Sequence, residues 1–171
     1  SNSVGFSYLQ KDLTETAVPI NLYSAQYSIN PFQDLIMEAE YSVGTEDDEI
    51  GHGYSIELTN QSENTYASIQ MIDANSTFPG YYNNTRYLNG NLQYVFNDHF
   101  RFFANFHEDE INAERDTLFG VAPYSKYVIG GLTFNFRKSD YLNIYIGDRE
   151  RKDRMPLQKF HYNPKPLYII L

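Results

Sequence analysis

The sequence contains no cysteine, no long apolar run and no stripe of basic residues. Without cysteine, neither a disulfide framework nor a thiolate metal site can form. Nowhere do about 18 apolar residues follow one another, so the sequence offers no candidate for a helical membrane span. Because 22 acidic residues outnumber 13 basic ones, little is available to neutralise phosphates, and we do not expect nucleic acid as a partner.

Signatures of catalysis and of cofactor binding are also missing. Neither a Gly-rich phosphate loop nor a G-x-S-x-G sequence occurs. The histidines form no ligand-spaced pair: His52, His99, His107 and His161. Ser55 and His52 lie three residues apart, which places them on opposite faces of a strand. We therefore expect neither an enzyme nor a bound cofactor.

Apolar residues instead recur at every second position along much of the chain, which is the period of a β-strand. Aromatic residues make up 16% of the sequence, and tyrosine suits a surface that is half apolar and half wet. Seven segments have one apolar face without charge and one mostly polar face: 35–43, 54–59, 66–71, 88–96, 100–107, 127–137 and 141–147. Further strands are expected at about 4–10, 18–29 and 157–163. Helix signals are weak, with a turn or two conceivable only at 109–118.

The expected connections alternate between short and long. The tight ones contain the Asn, Asp, Ser and Pro that turns favour, and they lie at 30–34, 60–64, 97–99 and 138–140. The longer ones lie at 44–53, 74–85, 108–125 and 148–155. In an up-and-down sheet, alternate connections lie on opposite edges. One edge should therefore carry tight turns and the other long polar loops.

This arrangement resembles Gram-negative outer-membrane β-barrels, which have short periplasmic turns and longer extracellular loops. The resemblance covers nearly the whole chain but is architectural, because no short motif specifies a family within that class. It implies one all-β domain over 1–171, an antiparallel up-and-down meander of about ten strands that forms a transmembrane barrel or a segment of a larger one. The absence of an initiator Met and the apolar run at 167–171 favour a fragment of a longer protein.

The resemblance also implies a location in the bacterial outer membrane, with lipid and lipopolysaccharide as partners and other envelope proteins as further candidates. The expected function is solute passage or docking, in a porin-like barrel or an envelope complex whose polar face lines an aqueous lumen. Five lumen-facing charges would tune which solutes enter: Glu38, Glu40, Glu57, Arg101 and Arg137. The lipid face should lack charge, because Lys or Arg near mid-membrane costs roughly 2–4 kcal/mol.

Two features leave alternatives open. Hard oxygen ligands for a divalent cation such as Ca²⁺ occur close together, without the EF-hand pattern, at Glu108, Asp109, Glu110, Glu114 and Asp116. A solvated acidic loop explains the same residues. The alternation itself also fits a soluble extracellular or periplasmic β-sandwich that binds glycan or protein, because one face of each sheet then packs on a core.

One expected loop stands out for its aromatic residues. Tyr81 and Tyr82 follow Pro79 and Gly80 within the connection at 74–85. Such a pair can stack on a sugar ring, or it can pack the loop back over the mouth of a barrel. The sequence alone leaves both interpretations open.

Overall fold

The computed structural model describes residues 2–11, 19–136 and 140–170. Strand makes up 70% of it, and the chain forms an all-β antiparallel meander, as the alternation predicts. Among the described residues, eleven strands belong to one sheet: β1 (Ser3–Lys11), β2 (Ile20–Phe32), β3 (Leu35–Glu46), β4 (Glu49–Gln61), β5 (Thr65–Ala74), β6 (Thr85–Val95), β7 (Phe100–Ile111), β8 (Pro123–Asn135), β9 (Tyr141–Asp153), β10 (His161–Tyr162) and β11 (Leu167–Ile170). A short 3₁₀ helix covers Thr117–Phe119.

Every strand from β1 to β8 pairs antiparallel with its successor, and β10 and β11 both pair with β9. The pairings found in the described chain leave the sheet open, with β1 at one edge. Alternate connections lie at opposite ends, which we call the turn end (between β2 and β3, β4 and β5, β6 and β7) and the loop end (between β5 and β6, β7 and β8). No helix in the described ranges is long and apolar enough to cross a membrane.

The register separates two faces throughout the sheet, because directly paired residues lie on the same side. One continuous row runs across β2 to β8: Ser28, Glu38, Glu57, Gln70, Asn89, His107 and Tyr127. A row on the opposite side runs across β2 to β6: Tyr27, Ala39, Ile56, Met71 and Leu88. We call these sides the polar face and the apolar face.

Very little of the apolar side-chain surface is buried. Among the described hydrophobic residues, the buried ones are Ile72, Ala74, Phe78 and Ala122. The apolar face remains exposed, with exposed fractions of 82% at Phe6, 52% at Ile69 and 65% at Ile146. A sandwich would cover such a face with a second sheet. The described chain forms a single layer and supplies no such cover.

The long connection expected at 44–53 is wrong. β3 and β4 continue to Glu46 and Glu49, and the hairpin is closed by Asp47 and Asp48 alone, whose φ angles are 50° and 63°. Positive φ at both central residues is typical of the type I′ turn, whose twist matches that of paired strands. The alternation of short and long connections is therefore broken at this hairpin.

Strands in the second half extend further toward the loop end than the alternation predicts. β7 reaches Ile111 and β9 reaches Asp153, whereas the strand expected at 157–163 shrinks to β10. The helical turn expected at 109–118 is only the short 3₁₀ helix. The extensions carry charge on the same side as the apolar residues, so that face is uncharged only in its part nearer the turn end. The turn expected at 138–140 falls mostly outside the described residues.

Candidate functional site

A cavity of about 400 Å³ lies on the polar face of β1 to β5. Three predicted lumen-facing charges, Glu38, Glu40 and Glu57, line it together. The register explains this, because Glu38 lies directly opposite Glu57. Neutral polar residues complete most of the lining: Ser3, Gln26, Ser28, Ser55 and Gln70. Since residues from five successive strands line one cavity, the sheet curves around it.

Arg101, one of the two predicted positive charges, does not join the glutamates. Arg101 lies near the turn end of β7 on the polar face, directly opposite Thr133, and it is not part of the cavity lining. With its amide oriented to match its neighbours, Gln93 accepts a hydrogen bond from Nε of Arg101 at 3.0 Å. Arg137 lies outside the described residues.

A second cavity of about 350 Å³ adjoins the first on the side of the loop end. The two cavities share Glu40, Ser55 and Gln70, so we treat them as one polar-face groove. Much of the second lining is apolar or aromatic: Leu22, Ile72, Ala74, Phe78, Tyr81 and Tyr82. The groove therefore changes along its length from an acidic part to an aromatic part.

The aromatic part is formed by residues 75–84, which we call the inner loop because it folds onto the polar face. Phe78 is only 7% exposed, and its ring lies where a Cβ on Gly53 would approach it to 3.2 Å. A Cβ on Gly51 would collide with the backbone of Phe78, and one on Gly44 would collide with the ring of Pro79. The glycines thus provide a flat surface on which the loop packs.

Hydrogen bonds fix both arms of the inner loop. His52 and Asn75 exchange two of them: the backbone N–H of Asn75 donates to the carbonyl of His52 at 3.1 Å, and that of His52 to Oδ1 of Asn75 at 2.9 Å. The hydroxyl of Thr77 donates to the carbonyl of Ile50 at 3.0 Å. Within the loop, the amide of Asn83 donates to the carbonyl of Phe78 at 2.7 Å. These contacts hold the loop against the first residues of β4.

Buried asparagines join the inner loop to the next long loop, residues 112–122. Asn84 and Asn112 are 2% and 3% exposed and have positive φ, which asparagine tolerates better than most residues. The amide of Asn84 donates to Oδ1 of Asn112 at 2.9 Å, and Oδ1 of Asn84 accepts from the backbone of Glu114 at 2.9 Å. Asn112 in turn donates to the carbonyls of Asp116 and Val121. The loops are therefore linked sideways along the loop end.

Asp153 makes the corresponding link to the segment after β9. It is 1% exposed, and its carboxylate accepts backbone hydrogen bonds from Ala122 at 2.9 Å, Met155 at 3.0 Å and Lys159 at 3.2 Å. The bond from Ala122 is the main cause that lowers the pKa of Asp153, because such bonds favour the charged form. A single carboxylate thus fixes both the end of one loop and the start of the next segment.

Sequence similarity adds no identification. No protein family matches the chain, and no curated protein is similar to it. The role of the groove must therefore follow from its geometry and chemistry.

Three of the acidic residues predicted as cation ligands lie on β7, whose side chains alternate between faces. Glu108 and Glu110 share the apolar side, whereas Asp109 is on the polar side. Glu110 accepts from Nη1 of Arg154 at 2.6 Å, and Glu108 lies 3.8 Å from Nζ of Lys126.

The other two predicted ligands, Glu114 and Asp116, lie in the loop after β7. Glu114 accepts from the hydroxyl of Ser76 at 2.6 Å and from its backbone N–H at 3.2 Å. Asp116 caps the 3₁₀ helix by accepting from the backbone of Leu118 at 2.9 Å. The five residues are not brought together, and in the described ranges no cluster of three His, Asp or Glu residues could hold a metal ion.

Paired charges lie on the apolar side near the loop end, and we call them the ionic belt. The pairs are Arg86–Asp73 at 3.0 Å, Lys126–Glu108 at 3.8 Å and Lys152–Glu150 at 3.1 Å. The border between apolar and charged positions does not lie at the same pair on every strand: Leu88 of β6 pairs with the charged Glu108 of β7, and Val128 of β8 pairs with the charged Asp148 of β9. Such a shift is expected when strands are tilted relative to the border.

The sequence placed Glu38, Glu40 and Glu57 on one face, but it did not predict the groove that they line or the residues that hold Glu40. A buried hydrogen bond of 2.7 Å joins the hydroxyls of Ser24 and Ser42, and Ser42 donates to Glu40 at 3.1 Å. The packing of the inner loop was missed as well. Its signal was present in the three glycines Gly44, Gly51 and Gly53, which were assigned to a long connection instead of paired strands.

Proposed function

We propose that this chain is part of a bacterial outer-membrane β-barrel, with its apolar face against lipid and its polar face against water. The observation that carries the proposal is the wide apolar face, which no second layer of the described chain covers. Exposing such a surface to water is unfavourable by about 25 cal/mol per Å² of apolar area. Contact with lipid removes that cost, and a sheet that is closed into a barrel keeps its backbone polar groups paired there.

The length of the apolar stretch supports a membrane. On β8 and just beyond it, alternate apolar residues run from Val128 to Phe136. Nine residues extend about 30 Å at about 3.3 Å each, or roughly 23 Å along the membrane normal at a tilt of about 40°. Known barrels have an apolar band about 25 Å tall. The stretch ends at Lys126, where the ionic belt begins.

Aromatic residues mark the other border of the band. Phe100 and Phe134 pack with ring centroids 4.8 Å apart at the turn end, and Phe136 continues the cluster at 6.0 Å from Phe134. Tyr94 and Phe96 form a further pair at 4.8 Å. Aromatic side chains are enriched at both membrane interfaces. An aromatic border at one end and an ionic border at the other fit a sheet that crosses a bilayer.

Within such a barrel, we assign the polar-face groove to the passage or docking of small solutes, with the inner loop narrowing its loop end. The groove faces away from the apolar side and is lined by hydroxyl, amide and carboxylate groups. A role as a component of an envelope complex is the second candidate, because edge strands such as β1 can pair with further strands. The soluble sandwich gains no support from a single layer.

Neighbouring residues of β5 provide a matched test of the two faces. The chain lacks cysteine, so Ile69→Cys and Gln70→Cys each introduce a single label on opposite faces. In the full-length protein inserted into vesicles, a fluorophore at 69 should be quenched by nitroxide-labelled acyl chains. The label at 70 should instead react with a water-soluble quencher. A detergent-free soluble particle in which both positions respond only to the aqueous quencher would overturn the proposal.

A further inference from the structure

We infer that the polar-face groove binds a small organic cation that has an apolar body, such as an arylalkyl ammonium ion. The inference rests on the proposed function, because it takes the polar face to be open to water. Two adjoining cavities of different chemistry carry it. The ammonium group would lie in the acidic part and the apolar body in the aromatic part.

The charge of the lining selects the sign of the ligand. Glu38, Glu40 and Glu57 line the first cavity, and no Lys or Arg of the described chain lines either cavity. None of the ion pairs found in that part of the chain involves these glutamates. Glu38 and Glu57 also face each other directly, an arrangement that is unfavourable for like charges. A bound cation would relieve that repulsion, whereas an anion would add to it.

Glu40 is the residue at which the two parts meet. It lines both cavities, and its Oε1 accepts from the hydroxyl of Ser42 at 3.1 Å. Because the hydroxyl hydrogen of Ser42 is used for this bond, Ser24 must donate in the 2.7 Å bond between the two serines. The buried serine pair therefore orients the carboxylate of Glu40 through the hydrogen bond that Ser42 donates. Its other oxygen remains available to an ammonium group.

The aromatic part supplies both an apolar wall and ring faces. Phe78 is held by the glycine surface, and Leu22 and Ile72 extend the wall along β2 and β5. Tyr81 is 94% exposed, and its ring packs edge-on against Tyr82 at 5.0 Å between centroids. Ring faces attract cations, and burial of the body of a ligand adds hydrophobic stabilisation. An exposed ring at the mouth of a cavity gains most from a ligand that covers it.

A bare metal ion fits this groove less well. The described chain contains no cluster of three His, Asp or Glu residues that could coordinate one. The carboxylates instead lie in a cavity wide enough for a molecule of about ten heavy atoms. An organic cation uses both the charge and the apolar wall, which a metal ion would leave empty.

Three ligands of equal shape and different charge test the inference: benzylammonium, benzyl alcohol and benzoate. They are titrated by calorimetry into the full-length protein in a non-ionic detergent, and the heat from empty micelles is subtracted. Benzylammonium should bind about tenfold or more tightly than benzyl alcohol, and benzoate more weakly still. Maltose, a neutral sugar, is titrated in the same way. The inference is overturned if benzyl alcohol or benzoate binds as tightly as benzylammonium, if maltose binds more tightly than benzylammonium, or if none of the ligands binds.

Two variants test whether benzylammonium binds in the groove. Glu40→Gln keeps the size of the side chain and should weaken benzylammonium binding about fivefold or more, with little effect on benzyl alcohol. Glu63→Gln in the turn between β4 and β5 removes the same charge outside the groove and should change nothing. Equal affinities for both variants would contradict the assignment. If Glu40→Gln does not fold, the salt dependence of binding to the unaltered protein still tests the inference. A tenfold rise in salt concentration should weaken the binding of benzylammonium and leave that of benzyl alcohol unchanged.

Failure of this inference can be told apart from failure of the proposed function. A soluble chain that binds benzylammonium would overturn the membrane location and leave the groove assignment standing. A membrane-inserted chain that discriminates none of the three ligands would overturn only the groove assignment.

Discussion

At the scale of single residues, buried polar groups link the long loops to each other and to the neighbouring segments. Asp153 is the clearest case, since its carboxylate accepts hydrogen bonds from both neighbouring segments. Its folded-state pKa lies below the ordinary value of 3.8. The stability that it contributes is therefore fully present above that value and is lost as the pH falls through the lowered folded-state pKa.

Replacing this carboxylate should loosen the loop end at neutral pH. In Asp153→Asn the amide nitrogen cannot accept the bond that Lys159 donates, so that N–H loses its partner. We expect amide hydrogen exchange in residues 154–160 to become about tenfold or more faster, and its acid dependence to become weaker. Asp148→Asn removes an exposed carboxylate from the same strand and should leave exchange unchanged. Wild-type exchange rates in Asp153→Asn would show that the three bonds do not hold the loops.

At the scale of elements, the position of the inner loop depends on the absence of side chains beneath it. Gly51→Ala would force the backbone of Phe78 away from β4, whereas Gly90→Ala meets its nearest heavy atom only at 3.8 Å. We expect Gly51→Ala to make residues 75–84 sensitive to protease and, if the loop narrows the lumen, to raise single-channel conductance in a planar bilayer. Gly90→Ala should behave like the unaltered protein in both assays. Unchanged protease resistance in Gly51→Ala would contradict the packing.

Removing the ring of Phe78 tests the same element from the other side. Phe78→Ala should lower the free energy of unfolding by about 3 kcal/mol or somewhat less, because one edge of the ring borders the groove. The hydrogen bonds of Asn75 and Thr77 would remain and keep the loop in place. Urea unfolding should therefore detect Phe78→Ala, while limited proteolysis should affect it less than Gly51→Ala. If Phe78→Ala were instead more sensitive to protease than Gly51→Ala, the ring of Phe78, and not the glycine surface, would position the loop.

The strands and their faces could be predicted because a period of two depends on local sequence alone. The hairpin at Asp47 and Asp48 could not, because its polar residues show no alternation and its turn depends on positive φ. The bounds of β10 within the strand expected at 157–163 and the existence of β11 could not be predicted either, since both strands are defined by pairing with β9 rather than by their own pattern. Local pattern therefore predicted the sheet but not where its strands end.

The same limit explains the outcome for the candidate sites. Glu38, Glu40 and Glu57 could be assigned to one face from the sequence, because alternate residues of a strand lie on the same side of the sheet. The five predicted cation ligands are not brought together, because β7 runs to Ile111 and alternation separates Asp109 from Glu108 and Glu110. The conformation of the inner loop could not be predicted from the sequence, because its packing on β3 and β4 is a tertiary contact.

At the scale of the whole molecule, the proposed membrane location implies that the two faces tolerate charge differently. Asn91 and Leu92 are neighbours on β6, paired with Asn105 and Ala104 of β7, and Leu92 is the central residue of the apolar stretch 88–96. A lysine on the lipid side near mid-membrane costs roughly 2–4 kcal/mol, whereas one facing the lumen costs little. Leu92→Lys should therefore reduce the folded fraction in vesicles strongly, as measured by urea unfolding, and Asn91→Lys should not. If the apolar face were in contact with water, Leu92→Lys would not be the more destabilising variant. Leu92 is already 38% exposed, and a lysine there would increase solubility. Equal stability of the two variants in vesicles would place the apolar face outside the hydrocarbon and leave its exposure to be explained by a protein partner.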